Sequence, residues 1–532
     1  MAEPDEPIEA VDRGTSFATR LSSTARRAVR SLTGWQVAFG VAVIAYVWYF
    51  TWVSLDYHHG LGSSAYDVGL YDQGTWLLAR FKAPYVTLMG RNLFGDHASF
   101  IMVFLAPFYW LWPSTGVLFF AQSLMLGLGA LPVFLYARKH LHEAMALVLS
   151  CVYLLHPAVA FTNRENFHPD SFLPFFIGMA IYGALERKWR LYWVFIVLAL
   201  LVKEDVLLVV LPLGIWVAFA RDRRRGVATI LATVLASLIG MFLVMRNLIG
   251  VPTRNIWRIP FGGPAGLLRE IIERPGNVVE YLRSDDRPFY LFQMTFPVAF
   301  AFLRKPSLAA VSALVLGTNI LSNFVYQYRI QYHYSAIAVP AIVMGSAYAI
   351  EAMQPRWRKW MTGAAGVTAV WACLMWGILP IGLLITPGAD QPLGRPVPVY
   401  WHRNHPRAVD ARELYPVIPS DASVSAYHSL TAHLAHREQI YQFPNPFRVV
   451  LYGPDTQMEQ ARACILQAND LQYVMLKAEL DADQQIDWDM VKVDFTEVAR
   501  NDSFVVYHRT GHRVQCQLLD GEPFPQLVDT AG

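Results

Sequence analysis

Leu61-Gly-Ser-Ser-Ala-Tyr-Asp67-Val-Gly-Leu-Tyr-Asp72-Gln73 follows the first long apolar run of the chain and sets two carboxylates beside it. The same gap runs on to Gly95-Asp96-His97. Later gaps between apolar runs hold Glu165, His168 and Asp170, then Lys203-Glu204-Asp205. An ionised side chain costs about 2.5–3.5 kcal/mol at the centre of a membrane helix, so such groups collect where a cavity or a partner receives them. Their convergence on one face points to a reaction or transport site in a protein that crosses a membrane many times.

Composition agrees. Hydrophobic residues make up 54% of the 532 residues and charged ones only 16%, with a mean hydropathy of +0.30, far from a soluble globular average. Aromatics reach 14%, many of them Trp and Tyr beside apolar runs, as in an interfacial belt. A net charge of +3 without a basic stripe gives no reason to expect nucleic acid. The segment 1–34 is polar, with Arg20, Arg26, Arg27 and Arg30 ahead of an apolar run from Trp35 to Val53. That run is long enough to span, so it reads as a retained first helix behind a cytoplasmic tail.

About eleven apolar runs follow one another from 35–54 to 360–386. Basic clusters at Arg138-Lys139, Arg187-Lys188-Arg190, Arg221 to Arg225, Arg304-Lys305 and Arg356-Arg358-Lys359 all fall inside if the N-terminus is inside and each run crosses. Ser99 to Trp112 is too short to cross and reads as a helix lying on or dipping into the outer leaflet. The short runs 191–202 and 206–220 flank the Lys203-Glu204-Asp205 triplet, as in a broken helix lining a watery cavity. The expectation is an all-α polytopic bundle spanning 35–387 in the plasma membrane, with outer juxtamembrane helices.

Residues 388–532 are polar and read as a small extracytoplasmic α/β domain. Strands are expected at Ala422–Ala426, Gln439–Phe443, Gln472–Leu476 and Phe504–His508, and helices at Leu430–Arg437 and Ala461–Ala468. Cys151 and Cys373 fall within apolar runs as packing residues, whereas Cys464 and Cys516 share the outer compartment, where a disulfide is expected.

The candidate site residues also have plainer readings. Ser64-Ala-Tyr-Asp67 matches a capping box, and Asp72 suits a solvated helix face. His97 suits an interfacial anchor, Asn166-Phe-His168-Pro-Asp170 a turn, and Gln331-Tyr332-His333-Tyr334 an aromatic belt. The triplet at 203–205 is harder to explain this way, because three charges between short apolar runs need a polar cavity or one another.

The order of a first crossing, an acidic residue opening an outer helix and a second polar pair near Asp96-His97 resembles the C-type glycosyltransferase fold. Such enzymes use polyprenyl-phosphate sugars, and their first-loop acid, here matched by Asp67, is the proposed catalytic base. The family's next motif has two prolines after its polar pair, where this chain has Ala98-Ser99. More closely, residues 35 to 520 are similar to a family of bacterial membrane proteins known as a domain of unknown function. Asp67-x-Gly-x-x-Asp72-Gln73, the Lys-Glu-Asp triplet, Gln-Tyr-His-Tyr and Leu430-Thr-Ala-His-Leu-Ala-His-Arg437 carry that likeness.

The resemblance implies transfer of a sugar from a polyprenyl-phosphate donor to a glycan or lipid acceptor of the cell envelope. An inverting displacement needs one carboxylate base, Asp67 first and Asp72 second. His97, Lys203, Arg91, Arg254 and Arg258 are available for the donor phosphate. Asp96, His168 and Glu204 are candidates for a divalent cation; a carboxylate-rich set suits Mg²⁺, Mn²⁺ or Ca²⁺, and two histidines would admit Zn²⁺. Asp205, Gln73, Tyr332 and His333 remain for substrate contacts. The alternatives are a lipid-linked sugar flippase or ion-coupled transporter, which also uses membrane carboxylates and broken helices, and a scaffold, which leaves the loop carboxylates unexplained.

Overall fold

The computed structural model describes residues 32–249, 256–378, 401–448 and 468–511. It is mostly helical. Helix α1 (Gly34–His59) starts at Thr33, whose side chain accepts the Gln36 N–H, and ends with His58 and His59 facing the C-terminal dipole. Gln36 and Thr33 both donate to Glu143 at the start of α5 (Glu143–Leu154), after α3 (Gly116–Leu128) and α4 (Ala130–His140). Between them lies α2 (Leu70–Ala79), followed by a short ribbon of strands β1 (Tyr85–Val86) and β2 (Arg91–Asn92). Helix α6 (Pro157–Glu165) meets α5 at a 46° bend, with Pro157 at its first position.

Among the described residues, four helices are long and apolar enough to cross a membrane, at 34–59, 116–140, 223–248 and 333–351, or five with the bent pair 143–165 counted as one. Shorter apolar helices fill in between: α7 (Leu173–Leu185), α8 (Trp189–Leu200) and α9 (Leu207–Ala220). Helix α9 turns back into α10 (Arg223–Leu238), and Gly226 allows the hairpin. A Cβ there would stand 2.2 Å from the Ala218 nitrogen, so any other residue would push the two backbones apart.

The apolar run 290–303 is broken rather than continuous. Pro297 removes a backbone donor, Ala299 and Phe300 adopt left-handed φ angles of 50° and 52°, and the chain there breaks into short turns, whereas the run 306–324 holds one short apolar helix, Ala309–Leu321. Ser99–Trp112 is likewise a 3₁₀ turn and one short helix, with Phe104, Phe108 and Leu111 exposed. Helix α11 (Pro264–Glu273) carries an exposed Leu268, Ile271 and Ile272. Helices α12 (Val339–Glu351) and α13 (Pro355–Trp376) end the bundle.

Beyond Trp401 the chain forms a mixed five-stranded sheet. Its order is β4–β3–β5–β7–β6, with β3 (Val424–Ala426) parallel to β4 (Ile440–Gln442) and β5 (Tyr473–Lys477). Strands β6 (Phe495–Arg500) and β7 (Phe504–Arg509) close it antiparallel. Strand β6 was not expected, because its burial fades after Phe495 and leaves no apolar alternation. The expected helix at 430–437 is two short turns, His428–Thr431 and Ala432–Leu434. The helix expected at 461–468 falls almost wholly outside the described residues, and both Cys464 and Cys516 lie outside them; Cys373 is buried and Cys151 half-buried within helices, as expected of packing residues.

This C-terminal segment docks on the end of α1 and on α2. Buried Asp56 lies 2.5 Å from His402 Nδ1 and accepts from Arg403 Nε at 2.7 Å, and the imidazoles of His58 and His433 stack with centroids 4.1 Å apart. Gln73 Nε2 donates to the carbonyls of Arg437 and Glu438, and Thr87 donates to that of Ile440.

Candidate active site

A cavity of about 670 Å³ opens where the starts of α7, α9 and α12 meet the loops after α1. The gaps between apolar runs converge here. Its polar lining includes Tyr66, Asp67, Arg91, Asp96, His97, His168, Asp170, the 203–205 triplet, Arg258, His333 and Tyr334. Leu207, Leu208, Met241, Met245, Leu267 and Leu321 are among its apolar lining.

Asp67 sits in an irregular turn at Ala65–Gly69, with φ 66° and ψ −89°, close to the strained γ-turn that non-glycine residues rarely adopt. The capping box of the plainer reading is not formed. Ser64 has no capping bond, and its hydroxyl instead donates to the Tyr66 carbonyl at 3.0 Å. The Asp67 carboxylate keeps 39% of its surface open toward the cavity and lies 3.8 Å from His168 Nε2. Burial pushes its pKa above the ordinary carboxylate value, against the pull of His168, while Glu165 and Asp96 add to the rise.

The charged floor consists of pairs. Glu204 lies 2.8 Å from His97 Nδ1 and also accepts the Ala98 N–H at 3.0 Å. Burial and Lys203 hold the His97 pKa down, but the Glu204 carboxylate more than offsets them and leaves it raised. Burial raises Glu204, and the His97 contact more than reverses that, leaving it below its ordinary value. Lys203 is only 5% exposed and lies 3.5 Å from Asp170 and 3.4 Å from Asp205. Burial opposes its charge, yet these carboxylates drive its pKa well up. Both separations are long for charge-assisted bonds of about 2.7–2.9 Å, so its ammonium retains capacity for another acceptor.

Arg91 donates to Asp96 at 3.1 Å, and Arg258 lies 4.3 Å from the centroid of the Phe324 ring and 5.7 Å from that of Tyr334. The Nε of Arg258 has no hydrogen-bond partner among the described residues. Arg254 lies outside those residues.

Three expected site residues lie away from the cavity. Asp72 is 1% exposed and accepts from Tyr109 at 2.6 Å and Thr115 at 2.9 Å, with His436 Nε2 at 3.1 Å, so its carboxylate is fully engaged. Gln73 is held by Thr87 and the C-terminal carbonyls, and Tyr332 packs on Tyr326 at 4.4 Å. Tyr334, two residues on, lines the cavity instead.

The expected cation set of Asp96, His168 and Glu204 is not assembled, because Asp96 is paired with Arg91 and Glu204 with His97. His168 is grouped instead with Glu165 and His333, their ligand atoms all within 4.8 Å of one another. The two imidazoles stack at 3.7 Å, and Glu165 accepts the His333 backbone N–H at 2.6 Å. Among the described residues the buried Nε2 of His168 has no hydrogen-bond partner, and burial followed by His333 lowers the ring's pKa, which favours the neutral form that a metal ligand needs. Two imidazoles and one carboxylate fit a first-row divalent ion such as Zn²⁺ better than Mg²⁺ or Ca²⁺. The sequence signal for this pair is the Glu165-x-x-His168 spacing, but His333 is far away in sequence and no local pattern joins it to them.

Residues 57–510 match the family model described as "Predicted membrane protein (DUF2079)". No curated protein matches the sequence. In structure, the chain resembles ArnT from Cupriavidus metallidurans in two crystal structures. One is bound to undecaprenyl phosphate (TM-score 0.52, 16% identity, 90% of this chain and 98% of that one). The other is in the apo state (TM-score 0.53, 16% identity, 89% and 97%). The Archaeoglobus fulgidus oligosaccharyltransferase in its apo form is more distant (TM-score 0.42, 12% identity, 82% and 69%). The likeness to ArnT is one of fold.

Proposed function

We propose that this chain, which belongs to the DUF2079 family of predicted membrane proteins, is a membrane glycosyltransferase. It would move a sugar from a polyprenyl-phosphate donor to a glycan or lipid acceptor of the cell envelope. One observation carries the reading: a single cavity is lined both by carboxylates, imidazoles and cations and by leucines and methionines. A ligand with a charged head and a hydrocarbon tail uses both kinds of lining, whereas a soluble sugar nucleotide or an ion would leave the apolar side chains idle. The shared fold with ArnT, crystallised with undecaprenyl phosphate, supports the same class of donor.

In this reading the acceptor hydroxyl oxygen attacks the anomeric carbon as the bond from that carbon to the phosphate oxygen breaks. Asp67 takes the hydroxyl proton, and the polyprenyl phosphate leaves with the bonding electrons. Attack from the face opposite the phosphate inverts the centre, which needs only one base. Arg258 and Lys203 hold the departing phosphate, the first fixed by aromatic faces and the second by its carboxylates. Arg91 and His97 act behind them by fixing Asp96 and Glu204.

Glu165, His168 and His333 would hold a divalent ion, which when bound supplies positive charge beside the donor phosphate. The topology that suits this chemistry has eleven crossings, with residues 1–34 cytoplasmic and residues 388–532 extracytoplasmic. Transfer of labelled sugar from a polyprenyl-phosphate donor by purified protein in detergent tests the reading. Donor that crosses vesicles intact and is never cleaved would favour a flippase.

A further inference from the structure

A second, smaller pocket of about 320 Å³ lies at the far end of the same helices. Helix α7 starts beside His168 and Asp170 and ends at Leu185; α9 starts after Asp205 and ends at Arg221; α12 starts after His333 and ends with Glu351. Each helix thus has its start at the catalytic cavity and its end at this pocket. The fourteen residues of α9 alone rise about 21 Å, so the two sites are well separated.

The chemistry of the second pocket is cationic. Arg221 and Lys305 converge on the ring of Tyr348, 5.4 Å and 3.6 Å from its centroid. Arg221 also lies 5.1 Å from the centroid of Trp216. Neither cation has a carboxylate within ion-pair reach among the described residues. Among the described residues the Arg221 Nε is buried without a hydrogen-bond partner, its Nη1 lies a marginal 3.5 Å from the Ala220 carbonyl, and the Tyr348 hydroxyl interacts with both cations.

Glu351, the carboxylate that lines the pocket, is engaged elsewhere. It accepts from the Tyr136 hydroxyl and lies 3.0 Å from His140 Nδ1. Aromatic faces and the Tyr348 hydroxyl therefore hold two cations in place, with the Arg221 Nε and the remaining Lys305 donors available for a further acceptor. A phosphate offers the matching acceptors, and the guanidinium fork and the ammonium point charge are its two usual protein partners.

We propose that this pocket binds a phosphate group at the end of the bundle opposite the catalytic cavity, with Arg221 and Lys305 as its cations. That end carries the basic clusters Arg138-Lys139, Arg221 to Arg225 and Arg304-Lys305. The phosphate would be carried by the headgroup of an anionic lipid in the adjoining leaflet or by a soluble phosphate compound.

The test uses full-length protein freed of bound lipid in a neutral detergent and titrated with three probes. These are inorganic phosphate, micelles doped with short-chain phosphatidylglycerol, and micelles doped with phosphatidylcholine. We expect saturable binding of phosphate, of phosphatidylglycerol or of both by the wild type. Arg221→Gln/Lys305→Gln should weaken it at least tenfold, and Arg356→Gln/Lys359→Gln, exposed cations beside the same end, should leave it unchanged. Binding of inorganic phosphate with no preference between the lipids assigns a soluble ligand, and preference for phosphatidylglycerol assigns a headgroup. No saturable binding by the wild type overturns the proposal. So does equal weakening in the two double variants, which would mean diffuse surface charge. If the Arg221/Lys305 double variant does not fold, Lys305→Gln alone carries the test, since Lys305 is partly exposed at the end of its segment.

Discussion

His436 Nε2 lies 3.1 Å from Asp72 Oδ1, and this contact joins the C-terminal segment to helix α2 beside the catalytic cavity. The same carboxylate takes the hydroxyls of Tyr109 and Thr115, so it serves three partners in a site with almost no exposure. The geometry thus gives Asp72 the contacts of a structural junction.

Asp72→Ala should therefore lower stability sharply. It leaves two buried hydroxyls without an acceptor, at about 1–3 kcal/mol each. His436→Gln removes one partner and should cost less. Thermal unfolding of the purified variants measures both. If Asp72→Ala unfolds like the wild type but loses all turnover, Asp72 belongs to the chemistry instead.

The His97–Glu204 pair makes a pH prediction. Glu204 has a lowered pKa, so its contribution is present above the unfolded value of about 4.3 and is lost as pH falls through the lower folded value. His97 has a raised pKa, so its contribution is full below about 6.5 and is lost as pH rises through the higher folded value. The coupling should thus be greatest between those limits and fade on either side. A double-mutant cycle of His97→Gln and Glu204→Gln, run by thermal unfolding from pH 4 to 9, reads it directly. A coupling that stays flat across that range would contradict the pairing.

Lys203 and Asp170 are 5% and 8% exposed. Lys203→Met strands a buried carboxylate and should cost about 3–5 kcal/mol. Lys203→Met/Asp170→Asn should recover much of that stability yet still bind the polyprenyl-phosphate donor weakly, because the ammonium is gone. Full donor affinity in the double variant would remove Lys203 from the phosphate site.

The metal cluster predicts composition as well as rate. Wild-type protein loaded with Zn²⁺ should retain about one ion after desalting, and His168→Ala or His333→Ala should each lower retention by about 10-fold or more. Metal analysis of desalted samples reports this without an activity assay. Equal retention by wild type and both variants would dissociate the cluster from any ion.

Much of the architecture was legible because hydrocarbon leaves few places for charge. The long apolar runs gave helices such as α1 and α10, and the gaps at 67, 96–97, 168–170 and 203–205 all reach one cavity. What stayed hidden depends on pairing and direction. Asp67 and Asp72 are five residues apart, which at about 100° per residue cannot put both on one helix face; only the break at Asp67 lets the first reach the cavity while the second turns to Tyr109. His97 and Glu204 are 107 positions apart, and no local pattern announces their bond. Pro297 did mark the broken segment at 290–303, but its apolar composition outweighed it.

Asp67→Asn gives the most direct test of the central claim. Asn tolerates the positive φ at this position as well as Asp does, so the turn should persist. Burial already disfavours the ionised carboxylate, so removing its charge should not lower the unfolding temperature. Sugar transfer from a polyprenyl-phosphate donor, with donor binding measured separately, should show turnover down by about 10² to 10⁴ and donor affinity nearly unchanged. Wild-type turnover in Asp67→Asn would contradict the assignment of the base and, with it, the proposed chemistry of the cavity.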